Sequence, residues 1–568
     1  MVAGLRMLVL SSAAFLALGL VPAVRAGVVV YPSAQTIQAS GPLPPAGAAK
    51  IRLNAARNEV EDAVIVVAGA TTVAVNVDAS ALAPLTVRLL WGHFVLFGAK
   101  PIPDALMPWD GIMRSVEKPN QPIWVQVTVP AGAAPGTYTG SVIVTANGKQ
   151  TAIPLAVRVF DATLPPPGQA AGSLLTLFNF SAQTYLNTVD SLYRLKTSSR
   201  FLAANEQLYG FLSRYRISPA SWGYGDPKSA RGYTTSSRWW QDAADNMTEL
   251  MAASQGFAGM WVPISNNRWA PRNYLGGLSP RVPESWCGYL GAVRRFWQAH
   301  GWLNGTTPFV YGWDEGNIAQ QRIVARQAAA VHRCFPEAKV MMTGNPSPSG
   351  DNGFLLSPTS RLDIWTVHAN RFYGEFTVPR QTRAGSSRER RWYRAIEKAR
   401  AAGSMIWSYN YGGMGTPAFL ATEPLSDPPM LILWAALEDV QGILYGENMT
   451  AYQRGNPLGA VSRQGAYVLI YPSPWSPIAS ARLEEIRDGI EDWEILDLVR
   501  RKDGQGAVRG ILGAAGLFSA TKAGVKLACT VGCALRGPLP TAWPRWSHDA
   551  TTARRIERAK LAALLAAG

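Results

Sequence analysis

Eight short apolar runs alternate with amphipathic helical stretches from about Ser173 onward. The runs are Leu174–Phe180, Ile217–Gly223, Ala258–Ile264, Phe309–Trp313, Val340–Gly344, Leu362–His368, Met405–Asn410 and Gly442–Gly446. Such strand-then-helix units, repeated over about 300 residues, are typical of a (β/α)8 barrel of the TIM type, whose active site lies at the carboxyl ends of its strands. A doubly wound open sheet is the alternative, but no G-x-G-x-x-G phosphate loop follows the first run. The pattern favours the barrel.

The chain before these runs has an all-β pattern. Between Gly27 and about Phe160, apolar or alternating runs are separated by turn signals such as Asn147-Gly148. This pattern predicts an immunoglobulin-like β-sandwich, and the Pro-rich stretch Leu164–Gly168 marks its boundary. The sequence thus predicts a multidomain chain. Its parts are a signal peptide at 1–26, a β-sandwich at 27–165, a (β/α)8 barrel at 170–500 and a C-terminal helical extension at 501–568.

The first 26 residues have the pattern of a secretory signal. Arg6 is followed by an apolar run from Leu8 to about Val21 and by a small-residue exit, Val24-Arg25-Ala26. Because this run is shorter than the roughly 20 residues of a membrane span, we expect a secreted or periplasmic protein with no stable membrane span. An uncleaved anchor is the alternative. Cleavage removes two positive charges and takes the formal charge from +16 to +14, which favours acidic partners. Export and the lack of a recognisable nucleic-acid module argue against nucleic acid.

Four cysteines and five histidines bear on disulfides and metals. In an oxidising compartment Cys529 and Cys533 are close enough in sequence for a local bridge. Cys287 and Cys334, on sequential predicted helices, are candidates for a second bridge. The cysteine pairs lack zinc-type spacing, and the histidines form no H-E-x-x-H or other ligand run. We therefore expect no metal and no other cofactor.

Two adjacent carboxyl groups, Asp314 and Glu315, follow the fourth run. Their mutual repulsion, and desolvation by the neighbouring indole of Trp313, both favour a protonated carboxyl group. Glycoside hydrolysis needs such a general acid, together with a second group that attacks or stabilises the anomeric carbon. The pair therefore predicts a catalytic site. The alternative is a helix N-cap, with the carboxylates holding the amides of Asn317 and Ile318.

The second catalytic group has two possible sources. The seventh run contains no carboxylate, so a protein nucleophile would have to be Glu447 or Asp226. Otherwise a 2-acetamido oxygen of the substrate attacks its own anomeric carbon. Asp314 then orients and stabilises the acetamido group, while Glu315 protonates the departing oxygen and afterwards activates water.

The segment Arg482–Leu496 closely resembles a signature near the end of domain-of-unknown-function family 4091, the catalytic-domain group of glycoside hydrolase family 123. Asp314-Glu315 matches the second hallmark of that family, an acid pair after the fourth barrel strand. The resemblance covers roughly residues 60 to 505. It implies a β-sandwich followed by a barrel, and a substrate-assisted N-acetyl-β-galactosaminidase activity. Two positions depart from the family pattern: Gly316, where Pro is frequent, and Gly446, where an aromatic residue is common.

The signature itself predicts a helix with one buried face. Ile486, Ile490, Trp493 and Leu496 recur at helical spacing, and Arg487 can pair with a glutamate four residues later. We interpret this segment as part of the scaffold.

Polar and aromatic residues near the other strand ends are candidates for a sugar pocket, because such pockets combine flat aromatic surfaces with a few polar groups. The predicted substrate-binding residues are Asn179, Trp222, His368, Asn370, Trp407, Tyr409 and Tyr445. With 20 tryptophans, the composition also favours stacking on ring-shaped ligands.

Together these patterns and the family resemblance, which is the source of the expected sugar, predict an exported glycoside hydrolase. Its expected substrate is an oligosaccharide, polysaccharide or glycoconjugate, possibly acidic, with a β-linked N-acetylhexosamine such as N-acetylgalactosamine, cleaved with retention by substrate assistance. The alternatives are a non-catalytic carbohydrate-binding or surface-polysaccharide assembly protein, and a barrel glycosidase that uses a protein nucleophile on another sugar.

Overall fold

The computed structural model describes most of the chain. The described residues are 27–47, 49–179, 182–193, 201–219, 238–265, 286–369, 387–410, 418–446, 449–450, 452, 456–461, 467–521, 524–526 and 551–568. The predicted signal peptide at 1–26 lies outside them.

Two sheets form the N-terminal part of the structure. The first sheet contains, in order, β1 (Gly27–Pro32), β3 (Glu59–Ala68), β8 (Asn120–Val129), β5 (Thr86–Phe97) and β18 (Ala460–Val461), with β6 (Lys100–Trp109) paired to β5. The second sheet contains, in order, β2 (Ile51–Arg57), β10 (Lys149–Thr163), β9 (Gly136–Ala146), β4 (Thr72–Asp78) and β7 (Arg114–Ser115).

The alternating pattern of the sequence explains how these two sheets pack. In β9, Val142 and Val144 are fully buried, whereas the intervening Ile143 is only partly buried. Inward side chains of both sheets, such as Val125 and Leu155, meet in one apolar cluster. The prediction of a sheet-rich N-terminal region is confirmed. Its immunoglobulin-like topology stays a prediction.

A parallel sheet of seven strands follows. Its order is β11 (Leu175–Phe178), β17 (Gly442–Tyr445), β16 (Met405–Asn410), β15 (Ile364–His368), β14 (Lys339–Thr343), β13 (Thr307–Asp314) and β12 (Gly259–Ser265). Because β11, the first of these strands in the chain, pairs with β17, the last, the sheet curls into a nearly closed barrel. Apolar side chains such as Leu177, Phe309 and Met341 fill its interior.

The gap between β11 and β12 is occupied by the end of the described segment 201–219. The N–H of Phe178 donates to the carbonyl of Ser218 (3.0 Å), and Phe178 forms an isolated parallel bridge with Pro219. From the other side, the N–H of Gly259 donates to the Ser218 hydroxyl (3.2 Å). This segment begins the second predicted run, of which residues 220–223 lie outside the described part. Closure by an eighth strand stays a prediction.

Ten helices are seen in the described residues. They are α1 (Ala182–Tyr193), α2 (Phe201–Arg214), α3 (Arg238–Ala252), α4 (Cys287–Ala299), α5 (Ile318–Cys334), α6 (Ser387–Ala401), α7 (Asp427–Leu437), α8 (Ala481–Asp503), α9 (Gln505–Ala514) and α10 (Thr552–Ala567). Short antiparallel pairs are formed by β19 (Ile470–Tyr471) with β20 (Ile478–Ala479), and by β21 (Ser519–Thr521) with β22 (Gly524–Lys526).

A disulfide bond joins Cys287, at the start of α4, to Cys334, at the end of α5. The second predicted bridge is thus confirmed. Cys529 and Cys533 lie outside the described residues. Within the described ranges, none of the helices has both the length and the apolar character that a membrane crossing requires. In the same ranges, no cluster of three or more His, Cys, Asp or Glu residues could hold a metal ion.

Helix α8 carries the signature segment Arg482–Leu496. The helix is confirmed, but the prediction of a single buried face is wrong, because side chains are buried all around it. Helices α7, α9 and α10 and strands β3 and β6 contact it. Its arginines pair with acids of the first sheet: Arg482 with Asp104 and Arg487 with Asp62, both at 2.7 Å. The helix therefore joins the barrel to the N-terminal sheets.

The C-terminal helix α10 also lies between the two parts of the molecule. It contacts α8 and α9, and it contacts β1, β2 and β10 of the N-terminal sheets. The Lys560 ammonium group lies 2.6 Å from a Glu59 oxygen and contacts Glu61. The helix thus packs on the N-terminal sheets as well as beside the barrel.

Candidate active site

Strand β13 ends in a β-bulge at the carboxyl edge of the barrel. Its register against β14 shifts by one residue between Tyr311 and Trp313, which leaves Gly312 as an extra residue. A bulge changes which side of a sheet the following side chains face. Tyr311 packs against the cluster inside the barrel and Trp313 against the cluster outside it. Asp314 then returns to the side of Tyr311, whose hydroxyl it contacts.

Two hydroxyl groups contact the carboxylate of Asp314. The Thr343 hydroxyl donates to Asp314 Oδ1 at 2.8 Å, and the Tyr311 hydroxyl lies 3.2 Å from the same oxygen. Burial, and then the nearby carboxylate of Asp314, raise the pKa of Tyr311 well above its usual value. The phenol therefore stays protonated and acts as a donor. Asp314 Oδ1 is accordingly an acceptor of hydroxyl hydrogens.

Contacts hold both the backbone and the carboxyl group of Glu315 in place. Its backbone has a φ of 48°, in the left-handed region that costs a non-glycine residue on the order of 1–3 kcal/mol. Its N–H donates to Thr343 Oγ1 at 2.7 Å and to the Thr343 carbonyl at 3.2 Å. The Tyr409 hydroxyl donates to Glu315 Oε1 at 2.5 Å. Strand β14 thus fixes the backbone of Glu315, and β16 fixes its carboxyl group.

Helix α5 begins three residues after Glu315, and Asn317 caps it. The Asn317 side chain accepts from the N–H groups of Ala319 and Gln320, both at 3.1 Å. The Gln320 side chain accepts in return from the N–H of Asn317 at 2.8 Å. This reciprocal capping box fills the N-cap position. The N-cap role considered for Asp314 and Glu315 is therefore taken by Asn317.

Two predicted pocket residues accompany Glu315. Tyr409 donates to it, and the buried ring of His368 lies edge-on to the ring of Tyr409, with centroids 4.7 Å apart. Trp407 precedes Tyr409 by two residues on the same face of β16. It is fully buried and packs edge-on against Phe309. Trp407 thus fills the barrel interior below the site, where it forms no open aromatic surface.

Tyr445 and Asn179 lie at the ends of β17 and β11. The ring of Tyr445 packs with Phe178 and Phe419, at centroid distances of 5.4 and 5.2 Å, in the core outside the strands. Its side chain therefore points away from the barrel interior. The side-chain amide of Asn179 donates to the carbonyl of Gly446 at 3.2 Å, which ties the two strand ends together.

The remaining candidates lie outside the described residues. They are the predicted pocket residues Trp222 and Asn370 and the alternative nucleophiles Asp226 and Glu447.

The structure adds Thr343 and Tyr311 to the site. Thr343 is the last residue of β14, so its place at the carboxyl end of a predicted strand is the one signal that could have identified it. Threonine is also an ordinary strand residue, and Tyr311 stands where a core aromatic is expected. Their shared contacts with Asp314 depend on the register of two strands, which the sequence pattern does not give.

Together these contacts make a site with two carboxyl groups in different surroundings. Asp314 accepts hydroxyl hydrogens and can stabilise a developing positive charge. Glu315, fixed through its backbone and by Tyr409, has a carboxyl group that can donate or accept a proton. Acid pairs at the carboxyl ends of barrel strands are suited to glycosidic bond hydrolysis.

Comparison with known proteins agrees with this chemistry. Residues 93–146 match the glycoside hydrolase 123 N-terminal domain, and residues 273–499 match the glycoside hydrolase 123 catalytic domain. The second match includes both Asp314 and Glu315. No curated protein is matched by the chain.

One solved structure shares the fold of this chain, and two others are reported for their partial similarity. A family 123 glycoside hydrolase from Clostridium perfringens, studied for glycolipid glycan hydrolysis, superposes with a TM-score of 0.61 at 14% identity, over 95% of this chain and 97% of that one. This similarity shows a shared fold. A Parabacteroides merdae β-glucuronidase is 10% identical over 72% of this chain and 50% of its own, with a TM-score of 0.22. Bacteroides uniformis β-glucuronidase 3 is 10% identical over 79% and 51%, also at 0.22.

A nearly closed parallel barrel with an acid pair at its carboxyl edge, preceded by paired sheets, defines this protein as a glycoside hydrolase. The chain is a glycoside hydrolase family 123-like protein, because it matches the models of both the N-terminal and the catalytic domain of that family.

Proposed function

We propose that the chain is an exported, retaining enzyme that removes a β-linked N-acetylhexosamine, N-acetylgalactosamine in particular, from a glycoconjugate. The observation that carries the proposal is that Asp314 and Glu315 are adjacent and share one threonine partner. Double displacement by two carboxyl groups uses residues on either side of the sugar, about 5 Å apart. Two adjacent acids suit a reaction in which the substrate supplies its own nucleophile.

The first step breaks the glycosidic bond. The carbonyl oxygen of the 2-acetamido group attacks the anomeric carbon, and the bond from that carbon to the leaving oxygen breaks. Glu315 gives its proton to the leaving oxygen and becomes a carboxylate. Asp314 accepts a hydrogen bond from the acetamido N–H and offsets the positive charge of the resulting oxazolinium ion.

The second step restores the acetamido group. A water molecule attacks the anomeric carbon and gives a proton to Glu315, which returns to its starting form. The bond between the anomeric carbon and the acetamido oxygen breaks, and its electron pair restores the amide. Two inversions at the anomeric carbon give net retention.

The substrate class has two further supports. The Clostridium perfringens enzyme with the same fold was studied for glycolipid glycan hydrolysis. The predicted charge of the processed chain, +14, favours an acidic glycoconjugate over a neutral one. The predicted signal at 1–26 would bring the enzyme to such a substrate outside the cytoplasm.

A panel of aryl glycosides tests the proposal. The purified protein should cleave an aryl 2-acetamido-β-galactoside, and it should leave the matched 2-hydroxy glycoside almost untouched because that sugar lacks the internal nucleophile. A cyclic thiazoline mimic of the intermediate should inhibit. Efficient cleavage of the 2-hydroxy glycoside and indifference to the thiazoline would instead indicate a protein nucleophile, with Glu447 or Asp226 as candidates. Binding of these sugars with no turnover would indicate the carbohydrate-binding alternative.

A further inference from the structure

The hydroxyl group of Thr343 contacts both acids of the site. It donates to Asp314 Oδ1 at 2.8 Å and accepts the N–H of Glu315 at 2.7 Å. The Tyr311 hydroxyl lies 3.2 Å from Thr343 Oγ1 and 3.2 Å from Asp314 Oδ1. A single hydroxyl oxygen thus connects the side chain of one acid to the backbone of the next.

The hydrogens in this cluster identify Asp314 Oδ1 as an acceptor. Tyr311 and Thr343 each have one hydroxyl hydrogen, and a carboxylate oxygen can only accept. The hydrogen of Thr343 goes to Asp314 Oδ1, because the carboxylate oxygen accepts whereas the N–H of Glu315 can only donate to Thr343 Oγ1. The Tyr311 hydrogen goes either to the same carboxylate oxygen or to Thr343. In each arrangement Asp314 Oδ1 is an acceptor, as a group that stabilises a positive charge must be.

The same hydroxyl also fixes the position of Glu315. A left-handed backbone at a non-glycine residue persists only where surrounding contacts determine it. At Glu315, whose φ is 48°, the bonds of its N–H to Thr343 are such contacts. If this backbone relaxed, the carboxyl group would move away from Tyr409 and from the position at which it meets a leaving oxygen.

We propose that Thr343 is a positioning residue for the reaction, one that sets Asp314 as the charge-stabilising carboxylate and Glu315 as the proton donor through one shared hydroxyl group. This inference rests on the proposed function, because it assumes the two catalytic roles. It predicts a loss of turnover from the removal of a single oxygen atom that is not itself in the reaction.

The test compares two threonines at the same level of the barrel. Thr366 pairs with Thr343 in the register of β14 with β15, and both are almost completely buried. Among the described residues the Thr366 hydroxyl has no hydrogen-bond partner. Thr366→Val is therefore a matched control for Thr343→Val, since both replace a buried strand hydroxyl by a methyl group.

Turnover of a 2-acetamido-β-galactoside with a sugar leaving group is the readout, because its cleavage needs both the proton of Glu315 and the charge of Asp314. Thr343→Val should lower kcat by about 10- to 100-fold, the effect of losing a hydrogen bond to a charged group, and change KM much less. Thr343→Ser, which keeps the hydroxyl, should stay within about threefold of wild type, and so should Thr366→Val. In the Asp314→Asn background, the fold-loss of kcat caused by Thr343→Val should be at least about three times smaller than in the wild-type background. The reason is that the effects of residues that act through one another are not additive.

The possible results separate the two proposals. If Thr343→Val retains the activity of Thr366→Val, or if Thr343→Ser is as impaired as Thr343→Val, the positioning role is wrong. If Glu315→Gln itself keeps wild-type turnover of a substrate with a sugar leaving group, the proposed function fails and this inference fails with it. Thermal unfolding of each variant reports folding. Should Thr343→Val not fold, Thr343→Ala against Thr366→Ala decides by the same comparison.

Discussion

A rise in pH from about 6 to about 8 should destabilise the protein through Glu491 and Glu494 on α8. Both are buried, and both pair with the one guanidinium group of Arg216 at 3.0 Å. Burial, only partly offset by Arg216, raises the pKa of Glu491 to about 7 and that of Glu494 to about 8. The other charged groups around the pair include Arg487 and Glu59. The folded pair therefore holds a proton near neutral pH that the unfolded chain has released.

The size of the effect follows from proton linkage. Where a carboxyl group has a higher pKa in the folded state, stability is lost as the pH rises between the unfolded and folded pKa values, by about 1.4 kcal/mol per pH unit. One proton lost over this range lowers the free energy of unfolding by about 2–3 kcal/mol. A chain of this size has an unfolding entropy of about 1 kcal/mol per degree, so this pair should contribute about 2–3 °C to the fall in melting temperature. Other carboxyl groups whose pKa values burial raises, such as those of Asp62 and Glu557, add to the fall in the same direction.

Scanning calorimetry at three pH values across this range measures the slope. Glu494→Gln keeps the shape of the side chain and cannot release a proton, so its melting temperature should fall less steeply with pH than that of wild type. Glu397→Gln, at a half-exposed site on α6, should keep the wild-type slope. A wild-type melting temperature that is constant or rises toward pH 8, or an unchanged slope in Glu494→Gln, would refute the reasoning.

Three further predictions concern the site and the disulfides. Tyr409→Phe removes the donor to Glu315 and should lower kcat by about 10- to 100-fold on a substrate with a sugar leaving group, as measured by steady-state kinetics. Asn317→Ala should lower the free energy of unfolding by about 1 kcal/mol in denaturant titrations, because it removes the cap of α5, while turnover changes little. Thiol titration under denaturing, non-reducing conditions should find no free thiol if Cys529 and Cys533 are bridged as the sequence predicts.

Each of these predictions has its own contrary outcome. Tyr138 donates to the Ala134 carbonyl at 2.9 Å on the N-terminal sheets, so Tyr138→Phe is the control for Tyr409→Phe. Equal activity of the two variants would show that the Tyr409 hydroxyl has no role in the reaction. If Glu315→Gln lowered the free energy of unfolding as much as Asn317→Ala does, the result would indicate that the acid pair caps α5. Two free thiols would leave the C-terminal cysteines unpaired.

The barrel strands could be predicted because their signal is local. An apolar run such as Met405–Asn410, bounded by helical patterns, identifies a buried parallel strand without knowledge of its neighbours. The acid pair was identified for the same reason, since it directly follows such a run. Which way a side chain faces was harder to predict. In the four-residue strand β17, alternation alone does not tell which face is inside, and Tyr445 lies on the outer one.

The contacts that complete the site depend on long-range register. The bulge at Gly312 and the pairing of β13 with β14 bring Thr343 to Asp314 across 29 positions of sequence. The burial of α8 has a similar origin. The charged residues of this helix predict a solvent-exposed face. In the structure, acids far away in sequence, such as Asp62 and Asp104, pair with its buried arginines inside the molecule.

The leaving-group dependence of Glu315→Gln tests the assignment of the general acid most directly. The variant should lose about 10²- to 10⁴-fold in turnover on a substrate with a sugar leaving group, because proton transfer contributes on that scale. It should lose far less on an aryl glycoside, whose phenolate leaves without protonation. Asp314→Asn, in contrast, should lose activity on both substrates alike. Equal losses of Glu315→Gln on the two substrates, or none on either, would contradict its role as the proton donor.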